Sequence, residues 1–419
     1  MNLMLLNIPY GTSSMQVDIP DKNLLAVVSR KEPQPVADDV TEITRAIRNP
    51  IGSPKLDSLV SKGSKILVIT YNWTRAMPNT NLAPVLKELG KARVRNDDIT
   101  IISGNGWNRQ NTPDERKKLV GDPSMLEEYE FVETDIFDKS TLRSNGKKTS
   151  HGTEIEMHKL AWDVDLIVTA NRVALHDLLG YGGGRSALLP GIGGDEPLRN
   201  NHSLVLQPGS TEGVLEGNPA HEDLVEFVEL SGKPMFIVDT VYARGHKVLK
   251  TVAGHYMKAW LEGVDLVRKM CTFKMPQIAD IAIAGTGGYP GGSNMRHSVG
   301  IFGRPRVKDG GVVIAVARCE EGFGELGLYE WMKRFRTIDE AEKELRANFP
   351  RSGHNNAILL REAKKHEIIL VSDIPDNMVK DAFMTPAHSA QEALEMALNK
   401  KGRDARILAM PYNDCLQEI

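Results

Sequence analysis

Several things are scarce in this chain, and each scarcity removes a class of explanation. Cysteine occurs three times in 419 residues, at Cys271, Cys319 and Cys415. An odd number at wide separation makes neither a disulfide framework nor the paired spacing of a structural zinc site, so a reducing, cytoplasmic setting is expected. No stretch approaches the roughly 18 apolar residues that a membrane span needs. The opening Met-Asn-Leu-Met-Leu-Leu-Asn-Ile-Pro-Tyr-Gly lacks the basic start and the length of a secretory signal. Charge of one sign is missing too: 52 basic residues stand against 55 acidic ones, a net charge of -3. That balance gives no electrostatic ground for a nucleic-acid or membrane-surface partner. A Gly-x-Ser-x-Gly elbow, a Walker loop and His-Glu-x-x-His are all absent, which sets aside several common enzyme classes. Small-molecule chemistry remains.

What is present is an α/β pattern. The length exceeds one ordinary hydrophobic core, so two domains are expected. Buried strands are expected at Lys65–Tyr71, Asp98–Ser103, Leu166–Thr169 and Pro234–Asp239, and later at Ile278–Ala284, Gly311–Ala317, Glu367–Ser372 and Ala405–Met410. Helical patterns lie between them: Asp38–Arg48, Asn81–Leu89, and a segment opened by Thr112-Pro-Asp-Glu115, which offers an N-cap, a proline at N1 and a glutamate at N3. Such alternation predicts mainly parallel sheets. An amphipathic helix over Gly254–Lys269 precedes the second series of strands and is a candidate hinge. The cut therefore falls near residue 270, giving domains 1–270 and 271–419, with a β-hairpin turning at Tyr10-Gly-Thr-Ser-Ser in the first.

Four loops carry candidate chemistry. Asn72-Trp73-Thr74-Arg75 follows a strand and precedes a helix, a place where backbone amides and a guanidinium suit a phosphate or carboxylate; a capped surface turn is the alternative. Gly104-Asn-Gly-Trp107-Asn108-Arg109 follows the next strand, and the two loops would meet at one crevice of a parallel sheet. An exposed Trp107 would favour a ligand there over a plain connecting loop. The third, His176-Asp-Leu-Leu-Gly-Tyr-Gly-Gly-Gly-Arg-Ser-Ala-Leu-Leu-Pro-Gly191, leads to Asn200-Asn-His202. Its two imidazoles flank a triple glycine and are candidates for a general base and a metal ligand, with satisfied structural histidines as the plainer reading. Arg185 and Ser186 stand where they could face an anion. The fourth, Gly285-Thr-Gly-Gly-Tyr-Pro-Gly-Gly292, is followed by Arg296 and His297; Pro290 replaces the third glycine of a dinucleotide fingerprint, and a tight structural turn is the alternative.

In order and spacing these four motifs resemble the nickel-pincer lactate racemase family of 2-hydroxyacid racemases and epimerases, over nearly the whole chain. The resemblance extends to Cys319-Glu-Glu-Gly-Phe-Gly324 and Leu370-Val-Ser-Asp-Ile-Pro375. It implies two α/β domains with an active-site cleft between them, and a nickel ion carried by a sulfur-bearing pyridinium mononucleotide of the 3,5-bisthiocarboxylic acid type. It implies cofactor contacts at Asn72, Trp73, Thr74, Arg75, Ser186 and His297, a catalytic base at His176, a nickel ligand at His202, and a substrate pocket with Trp107, Asn108 and Arg296. Five positions depart from the family pattern. Asn72 replaces an aspartate, Asn108 a second catalytic histidine, and Ser186 the lysine that tethers the cofactor. His297 and Gly300 replace a glutamine and a lysine.

With Asn108 one face of the substrate carbon has no imidazole. The implied enzyme is a racemase or epimerase of a 2-hydroxyacid; with Ser186 in place of the lysine it holds its pincer nucleotide noncovalently, and a pocket made polar by Asn72, Trp107, Asn108 and Arg296 is consistent with a polyhydroxy or sugar acid. The alternatives are a nucleotide- or organic-anion-binding protein on the same fold, or a one-sided oxidoreductase using a diffusible nicotinamide cofactor.

Overall fold

The computed structural model describes residues 2–75, 78–275, 277–304, 307–324 and 327–418, and the chain divides into two compact units. One comprises Glu32–Lys269; the other joins Met1–Lys31 to Met270–Ile419.

The unit Glu32–Lys269 is built on a six-stranded sheet in the order Val248–Gly254, Met235–Tyr242, Leu166–Arg172, Ile66–Thr70, Ile99–Ser103 and Glu130–Glu133. All neighbours are parallel except Val248–Gly254, which returns antiparallel from Met235–Tyr242. Ile66–Thr70 is buried at every position, the expected signature of a strand covered on both faces. Ile43, Val85, Leu89, Ile101 and Val168 belong to the core cluster on one side of this sheet. Helix Asp39–Arg48 starts where the Asp38 carboxylate accepts the Thr41 N–H, and it buries Ile43, Ala46 and Ile47. The Thr112–Glu115 capping box forms as expected and opens helix Pro113–Val120.

The other unit carries a second six-stranded sheet, all parallel: Thr385–Ala387, Glu367–Val371, Val307–Val316, Ala279–Gly285, Ile407–Met410 and Leu24–Val27. The hairpin Leu3–Tyr10 with Ser13–Pro20 turns where the sequence indicates, and Leu6, Ile8, Val17 and Ile19 join the core of this unit.

The cut near 270 thus needs correcting at the other end of the chain. Residues 1–31 do not belong with 32–269, because Leu24–Val27 hydrogen-bonds to Ile407–Met410 and the hairpin buries its apolar face among Ile281, Ile314 and Ile369. The helix expected over Gly254–Lys269 spans Lys258–Cys271. Its start is set by His255, whose Nδ1 accepts from Met257 N–H at 3.1 Å and Lys258 N–H at 3.4 Å. No helix among the described residues is long and apolar enough to cross a membrane.

Candidate active site

In a doubly wound sheet the ligand crevice opens at the carboxyl ends of the strands, where successive connections leave in opposite directions. In the unit Glu32–Lys269 that point lies between Ile66–Thr70 and Leu166–Arg172. The first connects outward to Ile99–Ser103 and Glu130–Glu133, and the second to Met235–Tyr242 on the other side. Three of the four candidate loops leave from here, since Thr70 is in register with both Ser103 and Ala170.

The first two loops are stitched together. Asn72 Nδ2 donates to the Asn105 carbonyl at 3.3 Å, and Asn108 Nδ2 donates to the same oxygen at 3.1 Å. Asn72 Oδ1 accepts from the Thr74 N–H at 3.1 Å and its hydroxyl at 2.7 Å, which folds the loop over itself. Trp73 is buried, its backbone N–H donating to Asn111 Oδ1 and its ring lying 4.1 Å from the Arg109 guanidinium. Arg109 is also clamped on Glu115 by two contacts of 2.7 and 2.8 Å. Arg75 is exposed; the protein packed around it lowers its pKa, and the nearby Asp177 carboxylate opposes that shift.

Trp107 departs from expectation. It is 5% exposed, so it is no open wall of a pocket. Its Nε1 donates to Asp195 Oδ1 at 2.8 Å, Arg199 pairs with the other carboxylate oxygen at 2.7 Å, and its ring meets His202 edge-on at 5.3 Å. The indole braces the imidazole.

The third loop brings the two histidines together. His176 ends the short strand Ala174–His176, paired with Gly180–Gly182. Its Nδ1 accepts from Leu178 and Leu179 N–H, each at 3.3 Å. His202 lies on helix Asp195–Ser203 and is 4% exposed; burial first, and the neighbouring His176 second, push its pKa down to about 3. At neutral pH it is an uncharged imidazole, the form that ligates metals.

Arg185 does not face an anion. It is fully buried: Nε lies 3.1 Å from His221 Nδ1, one terminal nitrogen donates to the Tyr181 carbonyl at 3.1 Å, and the guanidinium stacks 3.7 Å from the Trp260 ring centre. Behind it Asp239, also fully buried, accepts the Gly184 N–H and the Thr169 hydroxyl. Burial raises the Asp239 pKa to about 7, lowers that of Arg185 to about 9 and that of His221 to about 3. Gly183 sits against this cluster at φ +104°, ψ 172°, a region essentially closed to side chains. Ser186, at the expected tether position, accepts the Gly183 N–H with its hydroxyl at 3.0 Å.

The fourth loop belongs to the other unit, where Ala279–Gly285 is likewise the strand at which the connections reverse. Asn294 Oδ1 accepts the His297 N–H at 3.0 Å and its Nδ2 reaches Glu321 at 2.9 Å. Arg296 and His297 are half-buried neighbours, 3.4 Å apart.

Sequence reasoning passed over three buried residues. Asp239 was detectable as a lone carboxylate in the apolar strand Met235–Tyr242. Asn201 and Asp223 gave no signal, because their importance rests on contacts between two helices.

Residues 10–213 match the model of the lactate racemase N-terminal domain, and residues 275–414 that of the lactate racemase C-terminal domain. The lactate racemase of Thermoanaerobacterium thermosaccharolyticum is 31% identical over 417 residues, 97% of either chain. That of Lactiplantibacillus plantarum is 28% identical over 424 residues, 98% of either chain. The structure of the lactate racemase apoprotein from the former organism superposes with a TM-score of 0.91, covering 99% of this chain and all of that one. A Thermotoga maritima protein at 15% identity, with a TM-score of 0.69 over 93% of this chain and all of that one, shares the fold.

Proposed function

We infer the function from one premise: the chain belongs to the lactate racemase family. It is an isomerase, and we propose that it inverts the hydroxyl-bearing carbon of a 2-hydroxyacid. The observation that carries this reading is the buried His202, braced by Trp107 of a loop that leaves the sheet's switch point, with His176 near enough to help lower its pKa.

Among the described residues no group of three or more His, Cys, Asp or Glu side chains is placed to hold a metal ion. One imidazole cannot hold nickel alone, so an ion at His202 must arrive with donors of its own, as a nickel-pincer nucleotide does. A neutral, buried, braced His202 fits that role. Ser186 has no amine, so the nucleotide would be held noncovalently, with Arg75 and Thr74 on its phosphate. When bound, the group supplies a hydride acceptor and donor for the substrate carbon.

The protein's own part is the proton. His176 would take the hydroxyl proton at Nε2 and return it. Two amides donating to Nδ1 favour the Nε2–H form, which has no lone pair at Nε2, so action as a base there requires the ring to leave both 3.3 Å contacts and carry its proton on Nδ1 when substrate binds. Asn108 cannot accept a proton near neutral pH, so on its side the exchange falls to water or another base. Its amide suits a further substrate hydroxyl, which points to a sugar acid.

The test is to co-express the protein with pincer-synthesis enzymes, measure nickel and mass in native and denatured forms, and assay inversion of a panel of 2-hydroxyacids. Nickel and nucleotide in the native form alone, with turnover lost in His176→Ala, support the reading; full activity in His176→Ala sinks the base assignment. Asn108 and Ser186 also favour a second reading, a binding protein or one-sided oxidoreductase, and stabilisation by a nucleotide without nickel would select it.

A further inference from the structure

The two nitrogens of a neutral imidazole differ, and whichever carries the proton is decided by what the other group demands. His202 Nδ1 lies 3.1 Å from Asn201 Oδ1. An amide could be turned round to present its NH2 instead, but Asn201 cannot turn. Its Nδ2 donates to the Ala220 carbonyl at 2.9 Å and to Asp223 Oδ2 at 2.8 Å, both pure acceptors. Reversal would set oxygen against two oxygens in a site where Asn201 is 1% and Asp223 0% exposed.

Asp223 is anchored in turn. The Thr149 hydroxyl donates to its Oδ1 at 2.5 Å and the Thr153 hydroxyl to its Oδ2 at 2.9 Å. The Thr149 hydroxyl is itself held by the Thr153 N–H at 3.0 Å, and that of Thr153 by Asn200 Nδ2 at 2.7 Å. The chain thus runs from the loop between strands Leu142–Lys148 and Glu154–His158 through helix Pro219–Ser231 to helix Asp195–Ser203, and it ends on the imidazole.

We propose that Asn201 and Asp223 are positioning residues that lock His202 in the Nδ1–H tautomer, so that the ring lone pair resides on Nε2 and serves as its ligating atom. The use of Nε2 for a metal rests on the reading above; the tautomer does not. Neutral histidine in water prefers the proton on Nε2, so the protein has to reverse that preference, and Trp107 against the ring edge keeps the imidazole from rotating away.

The test uses the metal-free full chain labelled with ring-15N histidine, with the His202 signals assigned by their loss in His202→Gln. Long-range 15N–1H spectra of the wild type should show a protonated Nδ1 and a bare Nε2. In Asn201→Leu, folded by circular dichroism, that signature should be lost in favour of Nε2–H. Asp223→Asn, which lets the Asn201 amide reverse, should show both tautomers and decides the matter if Asn201→Leu does not fold. A wild type with its proton on Nε2, or variants that keep the wild-type signature, overturn the proposal. If the tautomer is as proposed but protein from pincer-producing cells carries no nickel, the positioning device stands and the metal reading falls.

Discussion

Replacing Gly183 by alanine should cost far more than one methyl group suggests. Two separate terms add. At φ +104°, ψ 172° the backbone occupies a region that side chains avoid at about 1–3 kcal/mol. A Cβ built there would lie 2.6 Å from the Arg172 carbonyl oxygen, 2.8 Å from Asp239 Oδ2 and 3.2 Å from Trp260 Nε1. The first is backbone of a central strand and the second is held by Gly184 and Thr169, so neither can retreat cheaply; overpacking of this kind costs about 1–3 kcal/mol. The total is about 2–6 kcal/mol. At roughly 2–4 °C per kcal/mol for a unit of this size, the melting temperature should fall by about 4–24 °C. Two controls separate the terms. Gly232→Ala has φ +65° and open space around its Cβ, so only the backbone term of about 1–2 kcal/mol applies. Gly182→Ala has its nearest neighbour at 3.8 Å and should sit near the wild type. Thermal and urea unfolding of the three variants give the comparison. A Gly183→Ala protein no less stable than Gly232→Ala would refute the claim that the loop is pressed against the Asp239 cluster.

Arg185→Lys should destabilise by about 2–4 kcal/mol, because an ammonium cannot reproduce the planar stack on Trp260 together with the contacts to His221 and the Tyr181 carbonyl; urea midpoints read the loss. Asp239 has its folded pKa raised from 3.8 to about 7, so it retains a proton that the unfolded chain has shed. Its stabilising share is full below about pH 4 and is lost as the pH rises through about 7, with a slope of at most about 1.4 kcal/mol per pH unit. His202 and His221, both depressed to about 3, contribute the opposite slope between about 3 and 6.5, so the wild-type profile alone is uninformative. The difference between wild type and Asp239→Asn isolates the carboxyl group, and a flat difference from pH 4 to 8 contradicts its raised pKa. Finally, Asn108→His should raise the inversion rate of the loaded enzyme by roughly 10²-fold or more, the ordinary worth of a general base, measured as kcat for both enantiomers; no gain would mean that the missing imidazole is not what limits turnover.

Central strands were legible because they are apolar almost throughout, as Ile66–Thr70 shows with four aliphatic residues in five, and the capping box at Thr112 was legible because it is wholly local. Leu24–Val27 was not: four residues carry little pattern, and their partner lies some 380 positions away. The hairpin Leu142–Lys148 with Glu154–His158 escaped notice because its first strand is mostly exposed and polar. At the candidate site, residue types and order singled out His176, His202 and the glycine loop. Which side chains turn inward was hidden, since Arg185 and Trp107 are decided by Trp260, His221 and Asp195, residues distant in sequence. Asn201 stood beside His202 in plain view, yet its orientation is dictated by Ala220 and Asp223 on another helix.

The pairing of Leu24–Val27 with Ile407–Met410 also sets a timetable for synthesis. Residues 32–269 form one uninterrupted unit that can fold as they leave the ribosome, whereas the hairpin and strand made before them must wait for the partner strand Ile407–Met410, made after that unit is complete. Through most of translation the segment 1–31, with its apolar Leu6, Ile8, Val17 and Ile19, is without its core. A segment translated ahead of the body at residues 32–269 is therefore secured after it. A ribosome stalled at residue 300 should carry a protease-resistant body over residues 32–269 and a cleavable leader ahead of it.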